Sequence, residues 1–401
     1  MQFGSKVKFN TVVGINEQEK SLIFYSMLGD NKANVNMKRI LYKCNLFDEE
    51  FFNLLSDEMG NYARENPSAQ AAGVSIIVPD NAIITDTINI PAVNRKAMAN
   101  SFRVAVDTMY VNHDDMKVNP LLAASNKQYG TFSVTMMKKQ LIADLNKACS
   151  VNKLLAQVIT FPANGVVNAV SRLRPKYKRS SYMFLDIKEN YTRICFAAKG
   201  RATAAALLPF GFSILSDRKL AAEDMLFDHT LGDITVINAK EKARAKQLTM
   251  LAEQTEDIAV EQQPEQDDSG FVTAPAAPVV DENAAKSYHK QARKLPKFMV
   301  RPTPEDANGF VYENFRIFVK WALLYLRNNE QLVAQGEPEF VLVNMPNKFD
   351  FLYEKVNADK DIHKIEFVPF DPSVDDNPTV TYNLELFGGF YSKNVNPTNI
   401  F

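Results

Sequence analysis

Glycine is scarce in this chain, at 15 of 401 residues, where average usage of roughly 7% would give nearly twice as many. Few loops therefore let the backbone approach a ligand closely. Cysteine is equally thin. Cys44, Cys149 and Cys195 stand far apart and form no CxxC pair, which argues against a disulfide framework or a structural zinc site and fits a reducing cytoplasm. His113, His229, His289 and His363 are scattered singly, and no pair has metal-ligand spacing. No stretch of some 18 apolar residues runs without a charge, and the opening MQFGSKVKFNTVVGINEQEK has no apolar core of signal-peptide length, so neither a membrane span nor export is expected. An excess of one charge is also missing. With 46 Lys and Arg against 47 Asp and Glu, counterion release offers no general case for nucleic-acid binding. GxSxG, Walker A, HExxH and Cys-His constellations are absent, which leaves the familiar hydrolase and P-loop chemistries without support.

What is present is an ordinary globular composition, 46% hydrophobic and 23% charged, in a chain long enough for two cores. Val7 to Ile15 and Ser21 to Leu28 are rich in apolar and β-branched residues around the polar Asn16 to Lys20, which predicts strand, turn, strand. A third strand is expected at Val35 to Leu41. Asp48 to Arg64 carries Phe51, Phe52, Leu55, Met59 and Tyr62 at helical spacing, with Asp48, Glu49 and Glu50 suited to the positive end of the helix. VSIIVP at Val74 to Pro79 reads as a buried strand, and ITDTINI at Ile84 to Ile90 alternates. Farther on, a helix is expected over Lys96 to Met109, strands over Phe132 to Met137 and Lys153 to Ile159, and a helix over Lys138 to Cys149 between them. Residues 93–160 read as a small α/β insertion.

Tyr182 to Ile187, a polar turn, and Thr192 to Ala198 repeat the N-terminal arrangement, so the chain reads as two related halves. Ala202 to Leu215 fits either a helix or a third strand. Between Glu253 and Glu282 lie nine acidic residues and no basic one, a composition that buries too little apolar surface to offset ordering entropy and reads as a disordered excursion. ENFRIFVKWALLYLRN, Glu313 to Asn328, is apolar around most of its circumference and reads as a buried helix. Phe340 to Asn344 and His363 to Pro369 are candidate strands, with a helix starting near Lys348.

The order of these segments resembles the actin-like ATPases of the PilM and, more distantly, FtsA type. VVGINEQEKSLIFYSM stands where that family has its first Asp-Ile-Gly hairpin, and YMFLDIKENYTRICFAAKG where it has the second. VSIIVPDNAIITDTINIP is similar to the strand pair before the family's inserted subdomain, FRIFVKWALLYLRNN to the second-lobe helix, FVLVNMPNKFDFL to the adenosine-loop strand, and LELFGGFYSKNVNPTNIF to the closing segment. The likeness is one of pattern and order. It implies an actin-like, ribonuclease H-like two-lobed α/β fold with an inserted α/β subdomain and a disordered acidic insert. The implied boundaries are 1–92 for the first lobe, 93–160 for the insertion, and 161–180 for the return and a basic connector. The second lobe is then 181–251, the acidic insert 252–290, the second lobe again 291–381, and a closing segment back to the first lobe 382–401.

The departures from the family are concentrated at its nucleotide loops. The first-loop Asp corresponds to Asn16 and its Gly to Gln18; Asp186 is kept in the second loop, but the Gly position is Lys188. Where the family has consecutive glycines in the third loop, this chain has Asn344, Met345 and Pro346, the proline also lacking a backbone donor. The resemblance thus implies a degenerate nucleotide site with no catalytic residue, no metal site and no required cofactor. Weak ATP and magnesium binding stay open, with Lys188 meeting phosphate as a point charge. Asp186 has a second reading as a turn residue bonded to its own backbone.

Arg172, Arg174, Lys176, Lys178 and Arg179 form the only dense basic cluster, read as a solvated connector or as a surface for an anionic membrane or acidic partner. The function implied is a cytoplasmic pilus-assembly scaffold and pseudo-ATPase. It would bind the cytoplasmic tail of a PilN-like inner-membrane protein, alongside other pilus or secretion machinery, and sit at the inner face of the membrane through that partner, without nucleic acid or direct membrane insertion. Two alternatives stay open. One is an active, polymer-forming FtsA-like ATPase; the other is a GspL-like secretion component.

Overall fold

The computed structural model describes residues 11–27, 35–91, 95–110, 113–125, 129–198, 200–208, 211–216, 226–227, 293–294, 307–327, 338–359, 366–370 and 383–392. The acidic segment 252–290, His229, His289, His363 and the last nine residues lie outside them.

The first lobe begins with strands β1 (Thr11–Asn16), β2 (Ser21–Met27) and β3 (Val35–Leu41). They pair antiparallel in sequence order, with Asn16 opposite Ser21 at the first turn. Helix α1 (Glu49–Glu65) follows. Its N-cap Asp48 accepts from the Phe51 amide at 2.8 Å, satisfying one orphan donor, and Phe51, Leu55, Met59 and Tyr62 point inward at helical spacing. Burying four such side chains stabilises the lobe by roughly 1.5–3 kcal/mol each. The short helix α2 (Pro67–Ala72), opened by its proline, returns the chain to β4 (Val74–Ile77), parallel to β1.

After β4 the chain leaves this sheet. β5 (Ile84–Pro91), helix α3 (Arg95–Met109), β6 (Met116–Ser125) and β7 (Tyr129–Lys138) form a separate antiparallel sheet, in the order β5-β7-β6, with its own core around Phe102, Tyr110 and Phe132. Helix α4 (Lys139–Ser150) then packs on α1, and β8 (Ala156–Thr160) rejoins the first sheet parallel to β4. Sheet membership therefore places the insertion at 84–138 rather than 93–160: β5 lies inside it, and α4 and β8 belong to the first lobe. β8 begins at Ala156 because Lys153, at φ 58°, is still turning the chain.

Helix α5 (Pro162–Leu173) and a basic 3₁₀ turn (Pro175–Arg179) lead to the second lobe. There β9 (Tyr182–Ile187), β10 (Thr192–Ala198) and β11 (Arg201–Leu208) repeat the antiparallel trio. The 201–208 segment is thus strand, followed by the single turn of α6 (Ser213–Ser216). A two-residue ladder joins β12 (Leu226–Phe227) to β13 (Arg293–Lys294). Helix α7 (Ala307–Arg327), β14 (Phe340–Asn344), helix α8 (Phe351–Ala358) and β15 (Glu366–Pro369) complete the lobe, with β14 parallel to both β9 and β15. The two sheets, β3-β2-β1-β4-β8 and β11-β10-β9-β14-β15, have the same topology and pairing sense.

Side-chain alternation divides the second sheet into two faces. Met183, Leu185, Ile194, Phe196, Val341 and Val343 join α7 and α8 in one core. Tyr182, Phe184, Cys195, Ala197 and Leu342 point the other way, into the core of the first lobe. Between the sheets lie α5 and the closing helix α9 (Leu384–Gly389). These two helices cross with backbones nearly touching: a Cβ built on Gly388 would fall on the Gly165 carbonyl oxygen, and one on Gly165 would fall on the Glu385 carbonyl.

Candidate functional site between the two hairpins

The face of the second sheet that points at the first lobe is apolar near α5 and charged at its hairpin end. Following Tyr182 and Phe184 along β9 brings Asp186 onto that face. Its register partners are Arg193 on β10 and Asn344 on β14. Three adjacent strands thus align an amide, a carboxylate and a guanidinium in one row. Asn344 donates to Asp186 Oδ1 at 2.8 Å, and Arg193 Nη1 lies 3.5 Å from Asp186 Oδ2. Lys188, just beyond β9, places its ammonium 3.2 Å from Asp186 Oδ1. Asp186 is fully buried, and Lys188 and Arg193 are each only 3% exposed.

Opposite this row stands Asp80, in the turn that carries the chain from β4 toward the inserted sheet. Arg193 grips it through Nε, at 3.1 and 3.4 Å from its two oxygens, and through Nη2 at 3.0 Å. Glu385 on α9 completes the cluster, also buried, with Oε2 making no hydrogen bond among the described residues. Burial raises the Glu385 carboxyl above its ordinary range; Lys188 and Arg193 pull against that, and Asp186 adds to it. For Arg193, burial opposes the charge, yet Asp80, Glu385, Tyr191 and Asp186 together hold it protonated more firmly than usual. Two cations therefore face three carboxylates in a low-dielectric site.

The first hairpin approaches the cluster from the opposite side. Asn16 Oδ1 accepts from the Glu19 amide at 3.1 Å, and its carbonyl accepts from the Tyr42 hydroxyl at 3.3 Å. Asn16 therefore shapes its own turn. Gln18 is exposed at the tip. Burial raises the Glu17 carboxyl, with Lys20 acting against that and Asp80 reinforcing it. Gly14 leaves room that the helix fills: a Cβ there would fall on Leu386 Cδ2. What remains between Gly14, Asn16, Gln18, Asp80, Arg193 and Glu385 is a cavity of about 20 Å³, space for about one water.

Of the residues expected at a nucleotide site, the structure brings Asp186, Lys188 and Asn344 into direct contact, with Asn16 and Gln18 at the rim. Met345 does not belong there. It follows the opposite face of β14 into the second-lobe core, while Pro346 is exposed and accepts from the Phe349 amide. Period-2 alternation after Leu342 and Asn344 already carried that signal. Asp80, Arg193 and Glu385 were missed, since only tertiary packing gathers them.

The basic run is dispersed. Arg172 stacks over the Tyr391 ring at 5.2 Å and Lys176 over Tyr177 at 4.7 Å, and Arg174 Nη1 donates to the Leu173 carbonyl at 3.4 Å. Lys178 and Arg179 are exposed and in no ion pair among the described residues. No group of described residues has the makings of a metal site, and no described helix is long and apolar enough to cross a membrane.

No family model and no curated protein matches the chain. Among solved structures it is similar to one from a PilM–PilN type IV pilus biogenesis complex, at 14% identity, covering 97% of this chain and 100% of that one with a TM-score of 0.50. Weaker likenesses are to the cytoplasmic domain of EpsL, an inner-membrane component of the type II secretion system of Vibrio cholerae, at 12% identity over 53% of this chain and 75% of that one (TM-score 0.36). A Bacteroides thetaiotaomicron protein with an actin-like ATPase fold aligns over the same shares at 12% identity (TM-score 0.28). At such identities the fold is what is shared, and the two sheets of matching topology bear it out: the chain has the two-lobed actin-like fold.

Proposed function

We propose that this chain is an actin-fold scaffold of a pilus or secretion machine, a pseudo-ATPase that uses the fold to display a binding groove. The observation that carries this reading is the occupation of the interlobe site by the protein's own side chains. The Asp186 carboxylate, which the family resemblance would turn toward a metal, is ion-paired with Lys188 and Arg193. The remaining cavity has the size of a single water. A nucleoside triphosphate would have to displace two buried cations from their carboxylates before its own phosphates fitted.

The partner in this reading is a short extended tail of a PilN-like inner-membrane protein, received where the first lobe meets the inserted sheet. The similarity to a chain of the PilM–PilN complex supports that choice. An extended tail adds main-chain hydrogen bonds along a strand and needs no preformed deep pocket. The scaffold would then sit at the membrane's inner face through its partner. Calorimetric titration with magnesium ATP is expected to give no heat of binding and no sustained phosphate release, whereas cytoplasmic-tail peptides from membrane proteins encoded beside it should bind at micromolar concentration. Tight ATP binding with turnover would sink the pseudo-ATPase reading. Failure of every tail peptide would sink the scaffold reading.

A further inference from the structure

We infer that the Arg193–Asp80 pair, backed by Asp186 and Lys188, is a clasp that holds the mouth of the interlobe cleft closed without a ligand and fixes the inserted sheet to the second lobe. This deepens the scaffold reading and rests on it.

The placement of the pair carries the inference. Asp80 lies on the 78–83 linker between β4 and β5, the covalent tether from the first sheet to the insertion. Arg193 belongs to β10 of the second sheet. Three donor contacts at 3.0 to 3.4 Å therefore connect the second lobe directly to the tether of the first. Such forked geometry fixes orientation as well as distance. The apolar seam through α5 joins the sheets at Phe184, Cys195 and Leu342; beyond it, toward the hairpin turns, Leu386 fills the space above Gly14, and the direct link between the lobes' strands and turns is ionic. A buried hydrogen bond from Ser133 Oγ to the Thr203 carbonyl at 2.9 Å ties the inserted sheet to β11 separately.

Lys188 makes the clasp self-sufficient. Asp186 beside Asp80 would repel it across the closed mouth; with Lys188 at 3.2 Å from Asp186, two internal cations answer these two carboxylates, while burial raises the carboxyl of the third, Glu385. No metal or phosphate is then required for closure. The wall of the groove proposed for the partner tail is thereby set before the partner arrives, which lowers the ordering cost of binding.

Spin labels on exposed positions of the two lobes, Lys147→Cys on α4 and Glu354→Cys on α8, report the interlobe distance by pulsed electron resonance. The wild-type background should give one narrow distribution, unchanged by magnesium ATP. Arg193→Met should broaden it toward longer distances, though with a buried carboxylate stranded this variant risks unfolding. Asp80→Asn combined with Arg193→Met removes the clasp while leaving Asp186 paired with Lys188; it should recover most of the thermal midpoint lost by Arg193→Met and keep the broad distribution. A narrow, wild-type distance in the folded double variant overturns the clasp. A wild-type distance that shifts with magnesium ATP also overturns it, because closure would then depend on ligand. Tight ATP binding with sustained phosphate release and no distance change leaves the clasp standing and refutes the pseudo-ATPase reading alone.

Discussion

Replacing Lys188 by methionine keeps the length of the side chain and removes its charge, so it isolates the ion pair with Asp186. At 3.2 Å and an effective dielectric of about 20, the Coulomb attraction is on the order of 5 kcal/mol. Removing the ammonium also relieves its own desolvation, and Asp186 keeps Arg193 and the Asn344 amide. The net loss should therefore fall near ~3 kcal/mol, the lower end for breaking a buried pair. It should depend on pH. Glu385 already titrates above its ordinary value, and Lys188 is the largest influence holding it down; without Lys188 it rises further. A carboxyl whose folded pKa exceeds its unfolded value binds more protons when folded, so stability is greatest below that window and falls as pH rises through it. Urea unfolding of Lys188→Met should show a larger deficit at pH 8 than at pH 5, with an unchanged slope against urea. Adding Glu385→Gln restores the wild-type charge balance and should recover at least 1 kcal/mol, a coupling typical of buried neighbours. A deficit under 1 kcal/mol, or one that Glu385→Gln leaves untouched, would refute this account of the cluster.

Glu385→Gln alone should raise the thermal midpoint at neutral pH, with the gain shrinking as pH falls toward 4.5, because the buried carboxyl takes up a proton there and its cost disappears; a gain constant with pH would contradict this. Gly388→Ala puts a methyl against the backbone of α5, where no side chain can yield, and should cost ~3 kcal/mol or more in denaturant titration, beyond ordinary overpacking. A loss below ~1 kcal/mol would show that α9 can shift freely. Burial pushes the thiols of Cys149 and Cys195 up to about 12, so they should resist a thiol reagent at pH 8 in the native protein and react on unfolding; rapid native labelling would count against the packing of α4 for Cys149 and of α5 for Cys195.

The duplicated trio of strands, α1 and the apolar helix after residue 307 were legible because each announces itself locally, by alternation, by helical spacing or by a cap such as Asp48. The insertion was misplaced because β5 and β8 read equally well as strands of either sheet, and only long-range pairing assigns them. β6 and α5 escaped notice for different reasons. β6 contains Pro120 and mixes polar and apolar residues, while α5 carries a polar stripe at helical spacing, Asn164, Asn168, Ser171 and Arg172, that was legible and was overlooked. At the site, the changed loop residues were visible as departures from a pattern. Their meaning was not: Asn16 reads as a lost carboxylate but serves its own turn, and Lys188 reads as a lost glycine or a phosphate contact but is one half of an ion pair.

The two halves of the molecule close the hairpin ends of their sheets in different ways. In the first sheet, the hairpin end of β1 carries Gly14, and the space above it is taken by Leu386 of α9. In the second, β9 carries Asp186, the counterpart of Asn16, two residues farther along, and the space above it is taken by Lys188 and Arg193. One side is closed by hydrocarbon and the other by salt. α9 serves both closures, since Leu386 and its neighbour Glu385 lie on the same turn, and its seat depends on the glycine contact with α5. Loss of that seat should therefore be felt in the charge cluster as well as in the core. If α9 is what seals the cleft, Gly388→Ala should abolish the pH-dependent effect of Glu385→Gln, because Glu385 would no longer reach Lys188 and Arg193. Persistence of the full pH dependence in Gly388→Ala would mean that Glu385 meets the cluster independently of the helix crossing.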